Sequence, residues 1–147
     1  MSYTNLTYHA VFSTHYRKRT ISEEHAESLY AYIIGIVNRN KGCVRAINGM
    51  TDHVHIVMDI PADTSVSDFI KKIKQGSSAW LYKNENFHGW EGWCSGYAAF
   101  TCSPQSLDGA LQYVRNQKEH HKKASFEDEL RKMLSYVGLT YNELDLM

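Results

Sequence analysis

Two histidines, His53 and His55, are separated by a single valine in the segment 51–60. Apolar and polar residues alternate along this segment, which predicts a β-strand whose successive side chains point to opposite faces of a sheet. The two imidazoles would then lie side by side on one face, and two such imidazoles can bind a divalent metal ion if a third ligand comes from elsewhere. Histidines on a strand face also occur without any metal, so the pair alone leaves both interpretations open.

A second candidate pair, Tyr113 and Gln117, lies in a later segment with helical periodicity. Residues four apart lie on the same face of a helix, and this face flanks the apolar stripe of the predicted helix. The tyrosine hydroxyl would therefore remain accessible, and the glutamine could offer an oxygen ligand to a metal ion. His121, one further turn along, and its neighbour His120 are additional candidates whose roles the sequence leaves open.

The elements that must position these residues are predicted in the order β-α-β-β-α-β, with two further helices at the C-terminal end. This order is typical of the α+β class and of a ferredoxin-like fold with a four-stranded antiparallel sheet. The first two helices would cover one face of the sheet, and the histidine face would be free for a site or a partner. The predicted strands span 4–14, 43–49, 51–60 and 96–102. The first predicted helix runs from a capping box at Thr20 and Glu23 to Asn40, the second runs from Ser65 to Lys83, and the last two span 106–123 and 125–137. We expect Asn48-Gly49 in the connection between the two central strands.

Composition limits the class of protein. The chain has 147 residues, of which 43% are hydrophobic, and a formal net charge of zero. We therefore expect one globular domain over residues 1–147, and any binding of nucleic acid must depend on local basic patches. Three cysteines without paired spacing, no signal peptide and no stretch long enough to cross a membrane indicate a cytoplasmic protein. The basic candidates for phosphate contacts are Arg17, Lys18 and Arg19, and Lys71, Lys72 and Lys74.

Taken together, these features resemble the single-tyrosine HUH transposases of the smallest bacterial insertion sequences. The resemblance is carried by His53-Val54-His55 (histidine, hydrophobic residue, histidine), by Tyr113 and Gln117 four residues apart, and by the order of the elements. It extends over nearly the whole chain, including the opening strand at 8–17, the second helix at 65–78, the strand at 96–101 and the C-terminal region at 116–130.

The resemblance implies an enzyme that cleaves and rejoins single-stranded DNA at the ends of a mobile element. Tyr113 would be the nucleophile that forms a covalent phosphotyrosine, and His53, His55 and Gln117 would hold the metal ion. A ligand set without thiolates or carboxylates favours Mg²⁺ or Mn²⁺ over structural zinc. The resemblance further implies DNA hairpins as substrates and a homodimer in which the tyrosine helix of one subunit completes the histidine site of the other.

The sequence leaves two other functions open. The chain could be a domesticated, non-catalytic relative that binds nucleic acid on the same fold, although the presence of both histidines, Tyr113 and Gln117 argues against this. It could also be a ferredoxin-like metal-sensing or regulatory dimer, a hypothesis that gives Tyr113 no role.

Overall fold

Four antiparallel strands form one sheet in the computed structural model, which describes residues 1–143. Their spatial order is β2-β3-β1-β4, and two long helices pack on one face of the sheet. This is the ferredoxin-like arrangement, so the predicted fold class is confirmed. The elements of this unit are β1 (Thr7–Ser13), α1 (Ala26–Arg39), β2 (Cys43–Met50), β3 (His53–Asp59), α2 (Val66–Lys83) and β4 (Ala98–Thr101).

The alternation of side chains along β1 and β3 decides which face of the sheet is buried under α1 and α2. Ala10 and Phe12 of β1 and Val54, Ile56 and Met58 of β3 are buried in the main hydrophobic core. Since neighbouring residues of a strand point to opposite faces, His53 and His55 must project from the other side of the same strand. The hydrophobic effect on one face of the sheet thus orients the two imidazoles on the other.

Two local predictions were wrong. The strand β2 continues to Met50, so Asn48 and Gly49 lie within the strand rather than in the connection. A side chain at Gly49 would collide with the backbone carbonyl of His53 on the adjacent strand, which explains the glycine. The helix α1 begins at Ala26 and not at the proposed capping box. Ile21 is buried instead, and its backbone N–H donates to the carbonyl of Thr51, 3.0 Å away, which holds this segment against the turn between β2 and β3.

The C-terminal segment covers the sheet face that we expected to be free. It contains α3 (Leu107–Arg115), α4 (Gln117–His120) and α5 (Phe126–Tyr136), so the single predicted helix over 106–123 is two helices that are separated at Asn116. The apolar side of α3 packs Val114 against Ala46 and Val57 of the sheet. The predicted start of the last helix at 125 is confirmed, because Ser125 is the N-cap of α5 and its hydroxyl accepts the backbone N–H of Asp128 over 3.2 Å.

Within residues 1–143, no helix combines the length and the apolar character that crossing a membrane requires.

Candidate metal and nucleophile site

The two strand histidines lie at the bottom of a polar cluster between β3 and the C-terminal helices. His53 and His55 have no exposed surface, and neither does Gln117, the first residue of α4. The Nε2 atom of His53 lies 3.1 Å from the Oε1 atom of Gln117. Because α3 and α4 lie across the histidine face of the sheet, residues more than sixty positions apart in sequence meet in one buried site.

The carboxylate of Glu129, on α5, is at the centre of this cluster and is 1% exposed. Its Oε1 atom faces three imidazoles, at 2.9 Å from Nε2 of His55, 3.1 Å from Nε2 of His121 and 3.4 Å from Nε2 of His53. Its Oε2 atom accepts hydrogen bonds from the hydroxyl of Tyr113 and from the side-chain amide of Gln117, the latter over 2.8 Å. One carboxylate therefore connects the histidines to the tyrosine.

Each of the three imidazoles is oriented by a partner at its other ring nitrogen. The Nδ1 atom of His53 lies 2.7 Å from the carboxylate of Asp52, and Nδ1 of His55 lies 2.8 Å from Nε2 of His9. The Nδ1 atom of His121 lies 2.8 Å from the carbonyl oxygen of Ala124 and donates to it. Such partners fix the ring orientation of metal-binding histidines and direct Nε2 into the site.

Burial and charge shift the protonation of these groups in different directions. Burial alone would lower the pKa of His53, but the carboxylates of Asp52 and Glu129 outweigh it and raise that pKa to about 9. Burial lowers the pKa of His55 to about 4, although Glu129 opposes the shift. Burial also raises the pKa of Glu129, but hydrogen bonds from His121, His53 and His55 prevail and hold the pKa well below its usual range.

The tyrosine of the site is half-buried, and its hydroxyl stays protonated in this environment. Burial of Tyr113 and the adjacent negative charge of Glu129 both raise the pKa of the phenol above its ordinary value. The ring lies beside three imidazoles, with centroid distances of 5.3 Å to His120, 5.7 Å to His55 and 6.0 Å to His9. A positive charge placed among the imidazoles would reverse the electrostatic effect and favour the phenolate.

The donor set fits a divalent cation. One ligand atom from each of His53, His55, His121 and Glu129 lies within 4.8 Å of the other three. Imidazole nitrogen and carboxylate oxygen are common ligands of divalent metals in proteins, and the oriented ring nitrogens match the surroundings of known metal-binding histidines. The structure thus contains a cluster of histidines and one glutamate that could hold a metal ion, and it includes two of the three ligands predicted from the sequence, His53 and His55.

The comparison with known protein families decides the relationship. Residues 2–117 match the family described as Transposase IS200 like. The chain belongs to this family. It is 26% identical over 123 residues to the transposase of insertion sequence element IS200 from Salmonella typhimurium, and the match covers 80% of each protein. It is 25% identical over 119 residues to the ISDra2 transposase TnpA of Deinococcus radiodurans, covering 78% of this chain and 85% of that one.

Solved structures agree with this assignment to the IS200-like family. The crystal structure of a candidate transposase from Deinococcus radiodurans has a TM-score of 0.61 and 25% identity, and the match covers 80% of this chain and 95% of that one. The structure of a REP-associated tyrosine transposase bound to a REP hairpin has a TM-score of 0.62 at 15% identity, over 82% of this chain and 74% of the other, which shows likeness of fold. The resemblance noted in the sequence is therefore confirmed at the level of the family.

In this IS200-like transposase, the residues predicted to carry the chemistry lie close together in a single chain. Tyr113 and Gln117 both contact Glu129, which in turn contacts His53 and His55. The tyrosine thus reaches the histidine cluster of its own chain, whereas the resemblance implied a site completed by a partner subunit.

The six basic residues proposed for DNA contacts differ in their exposure and in their partners. The Arg17 side chain is 10% exposed and pairs with Glu127, while Lys18 pairs with Glu91 and Arg19 is exposed. The three lysines lie on α2, which packs on the face of the sheet opposite to the histidines. Lys71 and Lys72 are exposed. The Nζ atom of Lys74 donates to the carbonyl oxygens of Cys94 and Gly96, each 2.7 Å away.

The sequence pattern gave Glu129 no role in the site, and it placed His9 on the sheet face of the two strand histidines, where it could assist the site or face solvent. Glu129 is three residues after Phe126 and four before Met133 and thus borders the apolar stripe of α5. A single acidic residue at the edge of an apolar stripe is the signal that could have identified it, because a buried carboxylate requires partners. His9 is 7% exposed, and only the pairing of β1 with β3, which aligns Val11 with His55, brings it against His55.

Proposed function

We propose that this chain is a DNA transposase that cleaves and rejoins single-stranded DNA at insertion-sequence ends through a covalent 5′-phosphotyrosine. One observation carries the proposal: the hydroxyl of Tyr113 and the ring nitrogens of His53 and His55 converge on the same buried carboxylate. Membership of the IS200-like family supports the same conclusion independently.

The first chemical step is attack of the Tyr113 Oη atom on the phosphorus of a phosphodiester. A bond forms between Oη and phosphorus, and the bond from phosphorus to the 3′ oxygen breaks. The DNA 5′ end is then attached to the tyrosine, and the departing 3′ oxygen becomes a free hydroxyl with a proton from water. The phenol proton has an acceptor in place, because the Tyr113 hydroxyl already donates to Oε2 of Glu129.

The second step reverses the first with a different strand. A 3′-hydroxyl from another DNA end attacks the phosphotyrosine, rejoins the strands and restores the phenol. Because the phosphodiester energy is kept in the tyrosine ester, no nucleotide cofactor is required. Attack by water would cut the DNA without allowing it to be rejoined, which is the physical reason for a tyrosine nucleophile.

His53, His55 and Gln117 would hold a divalent cation, for which the sequence predicts Mg²⁺ or Mn²⁺. Such an ion would neutralise charge on the phosphate, polarise phosphorus and lower the pKa of the nearby phenol. The chain itself contributes the orientation: Asp52 and His9 fix the two strand imidazoles, and Gln117 holds the carboxylate of Glu129 over 2.8 Å.

We propose hairpin-forming single-stranded DNA as the substrate, in agreement with the solved relative whose structure contains a REP hairpin. We propose that Lys18 and Arg19, in the segment after β1, contact phosphates of the DNA. Lys71 and Lys72 lie on α2, on the other face of the sheet, and could contact flanking DNA. Arg17 would contact phosphate only by exchanging its partner Glu127, and Lys74 only by releasing two carbonyls. A homodimer remains part of the proposal, with each chain carrying a complete set of side chains.

The test is to incubate the protein with Mg²⁺ or Mn²⁺ and single-stranded DNA that contains the ends of its own element, and to resolve covalent adducts on a denaturing gel. We expect an adduct in the wild type and in Tyr82→Phe, which alters an exposed tyrosine on α2, and none in Tyr113→Phe. An adduct that persists in Tyr113→Phe would assign the nucleophile elsewhere. DNA binding without any adduct in the wild type would favour the non-catalytic alternative.

A further inference from the structure

The family match ends at Gln117, the residue at which α4 begins. Two of the four clustered ligand side chains, His121 and Glu129, come from the segment beyond this point. Building on the proposed function, we propose that His121 and Glu129 are ligands of the same cation as His53 and His55. The ion would then have three imidazoles and one carboxylate in addition to the Gln117 oxygen of the proposed function, and the C-terminal helix α5 would be part of the metal site.

The distances from Glu129 to the three imidazoles match those between neighbouring ligands of one ion. For a metal–ligand distance of about 2.1 Å, neighbouring ligands are roughly 3.0 Å apart in octahedral and roughly 3.4 Å apart in tetrahedral geometry. The Oε1 atom of Glu129 lies 2.9, 3.1 and 3.4 Å from Nε2 of His55, His121 and His53. The carboxylate therefore already stands where a ligand would stand, and it need not leave the site for an ion to bind.

The hydrogen bonds of His121 support its assignment as a ligand. Its Nδ1–H donates to the carbonyl oxygen of Ala124, so in the neutral ring the lone pair of Nε2 points at Oε1 of Glu129, 3.1 Å away. Two electron-rich atoms that face each other at this distance repel unless a proton or a cation lies between them. The Nε2 atom of the adjacent His120 has no hydrogen-bond partner among the described residues, and the Oε2 atom of Glu129 lies 3.5 Å from it.

The two oxygens of Glu129 have separate contacts. Oε1 faces the imidazoles of His53, His55 and His121, whereas Oε2 accepts from Tyr113 and Gln117. A cation at the imidazoles would thus be connected to the nucleophile through a single carboxylate. The helix that carries Glu129 is held in place by Phe126, whose ring stacks on that of His53 with a centroid distance of 4.3 Å and an interplanar angle of 20°.

This ligand set changes the expected choice of metal. The sequence prediction of Mg²⁺ or Mn²⁺ assumed two imidazoles and an amide without a carboxylate. Three imidazoles disfavour Mg²⁺, which prefers an environment of oxygen ligands and water, whereas Mn²⁺ accepts imidazole and carboxylate together. We therefore expect the site to bind Mn²⁺ more tightly than Mg²⁺.

The test is Mn²⁺ binding to the full chain without DNA, measured by titration calorimetry. Glu129→Gln keeps the shape of the side chain and removes its charge, and Glu119→Gln makes the same change at an exposed position on α4. We expect Glu129→Gln to weaken Mn²⁺ binding at least tenfold and Glu119→Gln to leave it unchanged. Equal or tighter binding by a folded Glu129→Gln protein would overturn the proposal, and tighter binding would show that the carboxylate obstructs the ion.

A second measurement on the wild type covers the case in which Glu129→Gln does not fold. On titration with diamagnetic Zn²⁺, the ¹⁵N resonances of Nε2 in His53, His55 and His121 should shift together, and those of His120 should not. No shift at His121 would overturn the proposal. If the wild type forms the Tyr113 adduct but Glu129→Gln binds Mn²⁺ normally, this inference fails and the function stands. If the wild type binds Mn²⁺ through Glu129 but forms no adduct, the function fails and this inference stands.

Discussion

Arg17 should determine how firmly α5 is held on the site. Its Nη1 atom donates to Oε1 of Glu127 over 2.8 Å, and its guanidinium carbon lies 4.9 Å from the centroid of the Phe126 ring. The Arg17 side chain is only 10% exposed and that of Glu127 33%, so water screens this pair less than an ordinary surface pair. We assign about 1 kcal/mol to the ion pair, between the values for exposed and buried pairs, and about 0.5–1 kcal/mol to the cation–π contact.

The perturbation is Arg17→Met, which keeps an apolar stem and removes the charge. The backbone of Arg17 has a φ of 54°, a conformation that methionine adopts at the same cost as arginine, so the comparison isolates the side chain. We expect a loss of about 2 kcal/mol in the free energy that holds α5 closed, which corresponds to a roughly 30-fold increase in its opening equilibrium. Amide hydrogen exchange along α5 measures this directly.

A double-mutant cycle with Glu127→Gln separates the ion pair from the other contacts of Arg17, and its coupling energy should be about 1 kcal/mol. Lys18→Met is the matched control, because Lys18 and its partner Glu91 are both about half exposed and their pair should contribute less than about 0.5 kcal/mol. If Arg17→Met and Lys18→Met changed the protection of α5 equally, or if the coupling energy were zero, the assigned docking role of Arg17 would be refuted.

Three further predictions concern the site itself. Burial, with the charge of His55 nearby, lowers the pKa of His9 to about 3. A histidine in the unfolded chain has a pKa of about 6.5, so the unfolded chain binds more protons than the folded chain between these two pH values. The free energy of unfolding of the metal-free protein should therefore fall as the pH drops from 6.5 towards 3. Urea titrations in the presence of a chelator should show that this free energy depends less steeply on pH in His9→Gln than in the wild type. An equal dependence on pH in the two proteins would contradict this. His53, whose pKa is raised to about 9, should give the opposite trend, with stability lost between pH 6.5 and 9. Finally, mixing Tyr113→Phe with His53→Ala protein should not restore the DNA adduct on a denaturing gel, because the tyrosine and the histidines meet within one chain; a restored adduct would mean that copies exchange their tyrosine helices.

Much of the fold could be predicted because local pattern and burial agree. The alternation in β1 and β3 assigns Phe12 and Ile56 to one face and His55 to the other, and the structure has this arrangement. The helix starts predicted at Ser65 and at 125 are also real, since the hydroxyls of Ser65 and Ser125 each accept a backbone N–H of the first helical turn. The capping box at Thr20 failed because a tertiary contact of Ile21 outweighed a local preference.

The sequence by itself determined the family, the order of the elements along the chain and the side of the β3 strand on which the two histidines lie. It did not reveal that the histidine face is covered, that the helix breaks at Asn116, or that Glu129 lies among the imidazoles. Those features depend on how α3 to α5 pack over the sheet. Packing of an apolar stripe such as that around Val114 is non-directional, so periodicity shows that a helix buries one face but not which surface buries it. Only the tertiary structure could therefore decide that the carboxylate of α5 reaches the histidines of β3.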